Sequence, residues 1–280
     1  DTALLLPNSF RSALAARLGG VRRLAGYARD GRGWLLARSF SPARKNGGGW
    51  KPVSAVDYYL RLLELLGVYD AEQLPRELEL HVGDEDRQAA DRLLERHEVG
   101  DDRPLVMLNP GAAFGPSKMW DPERYAALAD ALIDKAGARI VINAAPAERE
   151  HVATVARVMR RRPAIDLSKL ENRIGLLKGL LGRCDLLVTN DTGARHVAAG
   201  LGTPLVTLFG STDPRWARID FEAERIIRSD VPCAPCRRKL CPQPAGPRYH
   251  QCMRAISVDE VVRASLEQLG RTAERRGVAR

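Results

Sequence analysis

Three clusters in this sequence have the residue types and spacing to do chemistry. The first is 109-NPGAAFGPSKMW-120, which follows an apolar run and leads to Asp121-Pro122. Gly111 and Gly115 let a ligand approach the backbone, and Lys118 adds a positive charge just before a helix. Backbone N–H groups, a helix dipole and one lysine can cradle a phosphate; an ordinary glycine-rich loop is the alternative. The Gly-Lys-Ser/Thr ending of a Walker A loop is missing, and so is a GxGxxG fingerprint. The second cluster is 189-TNDTGARH-196. Asn190 or Asp191 is the expected N-cap of the following helix. Thr192 and Gly193 would then present a hydroxyl and backbone N–H groups where a diphosphate sits. An ionised Asp191 would repel a diphosphate, so its carboxylate is expected to face neutral groups such as sugar hydroxyls. His196 lies further along the same helix, where a packing role is the plainer reading. The third cluster is Cys233-x2-Cys236-x4-Cys241-x10-Cys252, with His250 nearby and Cys184 apart. Its spacing suits a structural zinc site or an iron–sulfur cluster that rigidifies a long loop, with disulfides as the alternative.

These clusters need strands and helices to hold them. From Pro104 onward the pattern is regular: "LVMLN", "ARIVINA", "IDLS", "DLLVTN" and "PLVTLFG" read as strands. Helices "DPERYAALADALIDKAG", "PAEREHVATVARVMRR", "RIGLLKGLLGRC" and "GARHVAAGL" alternate with them. Asp121 is the expected N-cap of the first, with Pro122 at its first position. Short apolar strands alternating with helices predict βαβ units on a parallel sheet. Ligands then bind at the carboxyl ends of the strands, in the loops after Asn109, Asn143, Asn190 and Gly210. Before Pro104, "ALLLP" reads as a strand, Ser9 or Asn8 caps "FRSALAARLGG", and "NGGGWKP" is a loop. "SAVDYYLRLLELLGV" is an amphipathic helix capped by Ser54 and stopped at Gly67. A charged, apolar-poor stretch near residues 81–103 reads as the passage between two domains. The expected division is 1–95 for the first and 96–280 for the second, which also carries the cysteine loop 231–253 and a C-terminal helix.

The chain has 280 residues, 45% of them hydrophobic, and a net charge of +9. That composition suits a globular α/β protein, and the basic field favours anionic partners. No apolar run reaches the roughly 20 residues that span a bilayer. The chain starts at Asp1 with "TALLLP" already reading as a strand, which leads us to expect an N-terminal truncation.

Four blocks together resemble the ADP-heptose:lipopolysaccharide heptosyltransferase family, and within it the heptosyltransferase II type. They are "LLLPNSFRSAL", "NPGAAFGPSKMW", "TNDTGARHVAAGLGTPLVTLFGSTDPRW" and "VPCAPCRRKLCP…CM", in the family's order. The resemblance implies a GT-B fold: two Rossmann-like domains across a cleft, the first binding the acceptor and incomplete here. It implies an inverting transfer of heptose from ADP-L-glycero-D-manno-heptose to the inner core of lipopolysaccharide, with no catalytic cofactor. On that template Lys118 resembles the phosphate-binding lysine and Thr192–Gly193 the diphosphate turn. Gly111 belongs to the same cradle, Asp191 would hold heptose hydroxyls, Glu148 the nucleoside ribose, and His196 matches a family histidine. Ser9 and Arg11, with Ser12, would face the anionic acceptor or only cap a helix. The family's first βαβ unit, whose Gly-Asp pair supplies the presumed general base, has no counterpart before Leu4. The expectation is therefore a chain that binds donor and lacks its base. It would work in the cytoplasm, at the periphery of the inner membrane, without nucleic acid. Two alternatives are another GT-B enzyme with a different nucleotide sugar and a basic zinc-knuckle protein that contacts nucleic acid.

Overall fold

The computed structural model describes residues 1–44, 49–67 and 73–278, with side chains described to residue 274. Parts of the expected loop "NGGGWKP" and the last residue of the helix "SAVDYYLRLLELLGV" lie outside the described residues. The chain divides into two units, Asp1–Arg76 with Pro214–Asp220, and Glu77–Asp213 with Phe221–Arg280.

The first unit holds strand β1 (Thr2–Leu5), helix α1 (Phe10–Leu18), β2 (Arg23–Tyr27), β3 (Arg38–Phe40) and α2 (Ala55–Leu60). Its three strands are parallel, in the order β1-β2-β3. Period-two alternation along β2 sends Leu24 to one face, against Leu5, Ala13 and Leu35. Ala25 and Tyr27 go to the other face, against Leu62 and Leu65. Ser9 caps α1 by accepting a hydrogen bond from Ser12 N at 3.2 Å, and Ser54 caps α2 by accepting one from Asp57 N at 3.0 Å. Residues Arg61–Leu66 continue α2 as a tighter 3-10 turn, so the expected long helix changes type halfway. Buried Arg32 ties the loop after β1 in place, donating from Nε to Tyr27 O and from Nη1 to the Ser9 and Pro7 carbonyls.

The second unit begins with α3 (Asp84–Arg96), then β4 (Leu105–Asn109), α4 (Pro122–Ala136), β5 (Arg139–Ile142) and α5 (Arg149–Val158). It continues with β6 (Ile165–Asp166), α6 (Ile174–Leu181), β7 (Leu186–Asn190), α7 (Gly193–Gly200) and β8 (Leu205–Phe209). Last come β9 (Glu224–Arg228), α8 (Gln251–Arg254) and α9 (Val258–Val278). All six strands are parallel, in the order β6-β5-β4-β7-β8-β9. Renumbered within the unit, that is 3-2-1-4-5-6, the doubly wound order whose direction reverses between β4 and β7. Every residue of β4, β7 and β8 is buried, because helices cover both faces of a parallel sheet and its central strands carry continuous apolar runs. Helix α4 presents Tyr125, Ala126, Leu128, Ala129 and Leu132 at helical spacing to the main core.

The unit boundary falls at 76/77, where the sequence pointed to 95/96. Helix α3 is highly charged, yet it packs tightly on α6. A Cβ on Gly179 would stand 2.4 Å from Asp86 O and 2.9 Å from Ala90 Cβ. Bare glycines let the two backbones meet there, and the contact places α3 in the second unit. Strand β9 was not expected either. It is an edge strand with four charged or exposed positions and only Ile227 buried, so it lacks the apolar run that marks its neighbours.

Candidate functional site

The loops after β4 and β7 emerge side by side where the strand order reverses, the place where open parallel sheets bind ligands. Lys118, at the end of a short 3-10 turn, reaches across from the β4 loop to the β7 loop. Its Nζ donates to Asp191 Oδ2 at 2.6 Å and to Asp191 O at 2.9 Å. Thr212 Oγ1 donates to the same carboxylate oxygen at 2.8 Å. The Lys118 and Asp191 side chains are 12% and 10% exposed. At that depth each charge needs a partner, which is why Asp191 turns to Lys118 instead of facing only neutral groups. Phe114 covers the ammonium with its ring 4.9 Å away.

The N-cap of α7 is Thr192, not Asn190 or Asp191. Asn190 is committed elsewhere: its Nδ2 donates to Pro110 O and Gly111 O, and its Oδ1 accepts from Tyr125 Oη. It staples one loop to the other. Thr192 makes no side-chain cap; its Oγ1 lies 3.1 Å from Asn109 Nδ2 and 3.1 Å from Thr189 Oγ1. Asn109 Oδ1 in turn accepts from Asn143 Nδ2, and Asn143 Oδ1 from Asn172 Nδ2. A ladder of amides thus links the ends of β4, β5 and β7; Asn109 and Asn143 each donate one way and accept the other, and Asn172 donates at its end. Gly193 opens α7, and a Cβ placed on it would meet nothing within 4 Å. Space is thus open beside the first residue of α7. Within the helix, His196 is held below its ordinary pKa by burial and then by Arg195, against the pull of Asp191. Its imidazole is neutral at pH 7. Arg195 is fully buried and forks onto Glu224, which also accepts from Thr207 Oγ1. This explains why β9 carries a glutamate at its first position.

Glu148 comes to the same loop from the end of β5. A Cβ on Gly111 would fall 2.0 Å from Glu148 Oε2, so glycine is what admits the carboxylate. Burial raises the Glu148 pKa, and backbone N–H groups of Ala145 and Ala112 offset part of that. Gly111, Lys118, Glu148, Asp191, Thr192, Gly193 and His196 therefore belong to one neighbourhood of the second unit. Ser9 and Arg11 belong to the first unit, Ser9 as the α1 cap and Arg11 exposed on the helix. Thr212 and the Asn109–Asn143–Asn172 ladder were not singled out from sequence. For Asn109 and Asn143 the available signal was asparagine recurring where strands end.

The cysteine loop braces the cradle from outside. Ser117 Oγ lies 3.0 Å from Ser211 Oγ, Ser117 N donates to Lys239 O at 3.2 Å, and Arg237 N donates to Ser211 O at 2.7 Å. None of the five cysteines forms a disulfide. Cys233, Cys236, Cys241 and Cys252 line one cavity of about 10 Å³ with His250, whose buried Nε2 has no hydrogen-bond partner. That is roughly the room one water occupies. Burial, then the three neighbouring thiols, pushes the Cys252 thiol up to about 11. Among the described residues no three His, Cys, Asp or Glu side chains are placed to hold a metal ion. The four thiols gather around this cavity without three of them being placed on one ion among the described residues.

Residues 1–245 match the family model described as glycosyltransferase family 9 (heptosyltransferase). Lipopolysaccharide heptosyltransferase 2 of Escherichia coli K12 is 30% identical over 234 residues, 81% of this chain and 65% of that protein. The chain thus spans somewhat less than two thirds of the length of that relative. The structure of E. coli ADP-heptose lipopolysaccharide heptosyltransferase II superposes with a TM-score of 0.73 at 26% identity, over 97% of this chain and 77% of that one. A glycosyltransferase family 9 structure from Veillonella parvula gives a TM-score of 0.76 at 24% identity, over 96% and 73%.

Proposed function

Because this chain belongs to glycosyltransferase family 9, we propose that it is the donor-binding part of an ADP-heptose:lipopolysaccharide heptosyltransferase. The observation that carries the reading is the meeting of Lys118, Asp191 and the open N-terminus of α7 at the β4/β7 reversal. In the transfer, an acceptor hydroxyl oxygen bonds to the anomeric carbon as the bond from that carbon to the diphosphate breaks. The electron pair leaves with the diphosphate, and the hydroxyl proton goes to a base. Negative charge builds on the leaving oxygen, and donors already in place for it lower the barrier. The first N–H groups of α7 and the Lys118 ammonium take that role. Asp191 is drawn toward Lys118, so a sugar hydroxyl donating to its other carboxylate oxygen would not be repelled. Glu148, against Gly111, suits the ribose hydroxyls. Ser9 and Arg11 remain proposed acceptor contacts.

Calorimetry separates this reading from a transferase with another nucleotide sugar. ADP is expected to bind at least tenfold more tightly than UDP; equal or reversed affinities would overturn the donor assignment. A structural zinc at Cys233, Cys236, Cys241 and Cys252 is a subordinate proposal, supported by four free thiols and the unpartnered His250 Nε2 around one cavity. It requires the loop to draw in around the ion, and about one zinc per chain in the same sample is the expected result. Work at the cytoplasmic face of the inner membrane, on the lipopolysaccharide inner core, is part of the same proposal and fits the basic charge.

A further inference from the structure

Between β9 and α8 the chain runs through residues 229–250 without a regular element. A connection that long is either disordered or kept for a task, and this one is held in place. Pro232, Pro235, Pro242, Pro244 and Pro247 stiffen it. Main-chain contacts pin it to the loops of the donor site: Lys239 O accepts from Ser117 N at 3.2 Å, and Arg237 N donates to Ser211 O at 2.7 Å. Between and beyond those anchors, Arg238, Lys239, Leu240 and Arg248 are exposed. A stiff, tethered loop loses little conformational freedom when its outer side chains meet a partner.

The charge of the stretch is one-sided. From residue 231 to residue 258 there are five basic residues, Arg237, Arg238, Lys239, Arg248 and Arg254, and no acidic one. That is +5 within 28 residues, against +9 for the 280 of the whole chain. Arg254 shares its charge with Asp121 at 3.7 Å. Arg238, Lys239 and Arg248 pair with no carboxylate among the described residues. Leu240 follows these cations with 69% of its surface exposed. An anionic bilayer surface answers both features, offering phosphates to the cations and the boundary between headgroups and acyl chains to the leucine. A soluble phosphorylated ligand would leave the leucine in water. Single-stranded nucleic acid stacks its bases on bare aromatic faces, and the loop's single Phe, Tyr or Trp side chain, Tyr249, is already engaged. It stacks on His250 at 4.3 Å, with Arg254 over its ring at 5.7 Å.

We propose that this loop seats the protein on an anionic lipid surface, with Arg238, Lys239 and Arg248 on headgroup phosphates and Leu240 entering the boundary beneath them. Docking there holds the donor site beside a lipid-borne acceptor; only that purpose rests on the transfer reading above. The test is cosedimentation of the chain as it stands, at low salt, with vesicles of phosphatidylglycerol and phosphatidylcholine. A single-stranded oligonucleotide is run as a second polyanion, and ADP calorimetry is done on the same proteins. Leu240→Ser and Arg248→Gln are each expected to weaken vesicle binding about fivefold. Arg92→Gln removes the same charge from an exposed position on α3 and is expected to weaken it less than about twofold. ADP affinity should be unchanged in all three. Equal losses for Arg248→Gln and Arg92→Gln would overturn the proposal, because the attraction would then belong to the field of the whole molecule. Leu240→Ser binding vesicles like the parent would overturn it as well. So would loop variants that lose the oligonucleotide and keep the vesicles, which would hand the loop to nucleic acid. Loss of ADP recognition with vesicle binding intact counts against the donor assignment alone.

Discussion

Lys118 and Asp191 hold one another's charge in a place where neither would be stable alone. Breaking a buried pair from one side leaves an uncompensated ion and costs about 3–5 kcal/mol, whereas removing both charges costs far less. Lys118→Met is therefore expected to lower unfolding stability by about 3 kcal/mol, and Lys118→Met with Asp191→Asn to recover most of it. Donor binding should follow a different rule. Both the single and the double variant are expected to lose ADP affinity, because the ammonium is gone from each. Urea unfolding and ADP calorimetry on the parent, the two single variants and the double variant check this, and a double variant as unstable as the sum of Lys118→Met and Asp191→Asn would rule out the coupling. The sequence marked Lys118 and Asp191 separately, by their loops, but not their contact across 73 residues. Thr212 escaped notice for the same reason: a hydroxyl becomes informative only when the fold shows what it touches. Asn190 looked like a cap because asparagine prefers caps, and tertiary contacts to Pro110 and Gly111 gave it another task.

At the scale of elements, the sequence was most legible where burial is greatest. Strands β4, β7 and β8 are buried throughout and carry short apolar runs that declared them, and α4 announced its start with Asp121-Pro122. Asp121 sits at the cap position, but its side chain pairs with Arg124 and Arg254 instead of capping. Edge strand β9 and charged α3 were obscure because few of their residues are buried; their roles are a glutamate under Arg195 and a close crossing over Gly179. The cysteine loop is the element whose effect on the donor site can be tested. Gly115 has φ +147, a backbone conformation side chains avoid, and a Cβ there would stand 2.6 Å from Lys239 O, a backbone atom that cannot rotate away. Gly115→Ala is thus expected to pry the Pro116–Lys118 turn from the cysteine loop. The predicted result is ADP binding weakened about tenfold or more, with far-UV circular dichroism unchanged because the sheet does not depend on that contact. Unchanged ADP affinity would mean that the brace does not position Lys118.

The molecule as a whole carries +9, and much of the local basic character seen in sequence is neutralised at short range. Arg160 and Arg161 pair with Asp130 and Asp134, Arg183 with Asp91 and Asp101, and Arg139 with Asp102. The reach of the net field that remains is set by salt. The screening length is about 10 Å at 0.1 M and about 3 Å at 1 M. Attraction to an anionic membrane surface, at about 1 kcal/mol per nearby cation, should therefore be visible at low salt and gone at high salt. Cosedimentation with vesicles containing phosphatidylglycerol is expected to fall steeply as sodium chloride rises through the physiological range, with neutral phosphatidylcholine vesicles binding nothing at any salt. Lys118→Met with Asp191→Asn, which removes one charge of each sign and keeps the net charge, should leave that curve in place while removing ADP binding. Salt-independent association, or equal binding to neutral vesicles, would assign the attachment to apolar contact and take the basic charge out of the account.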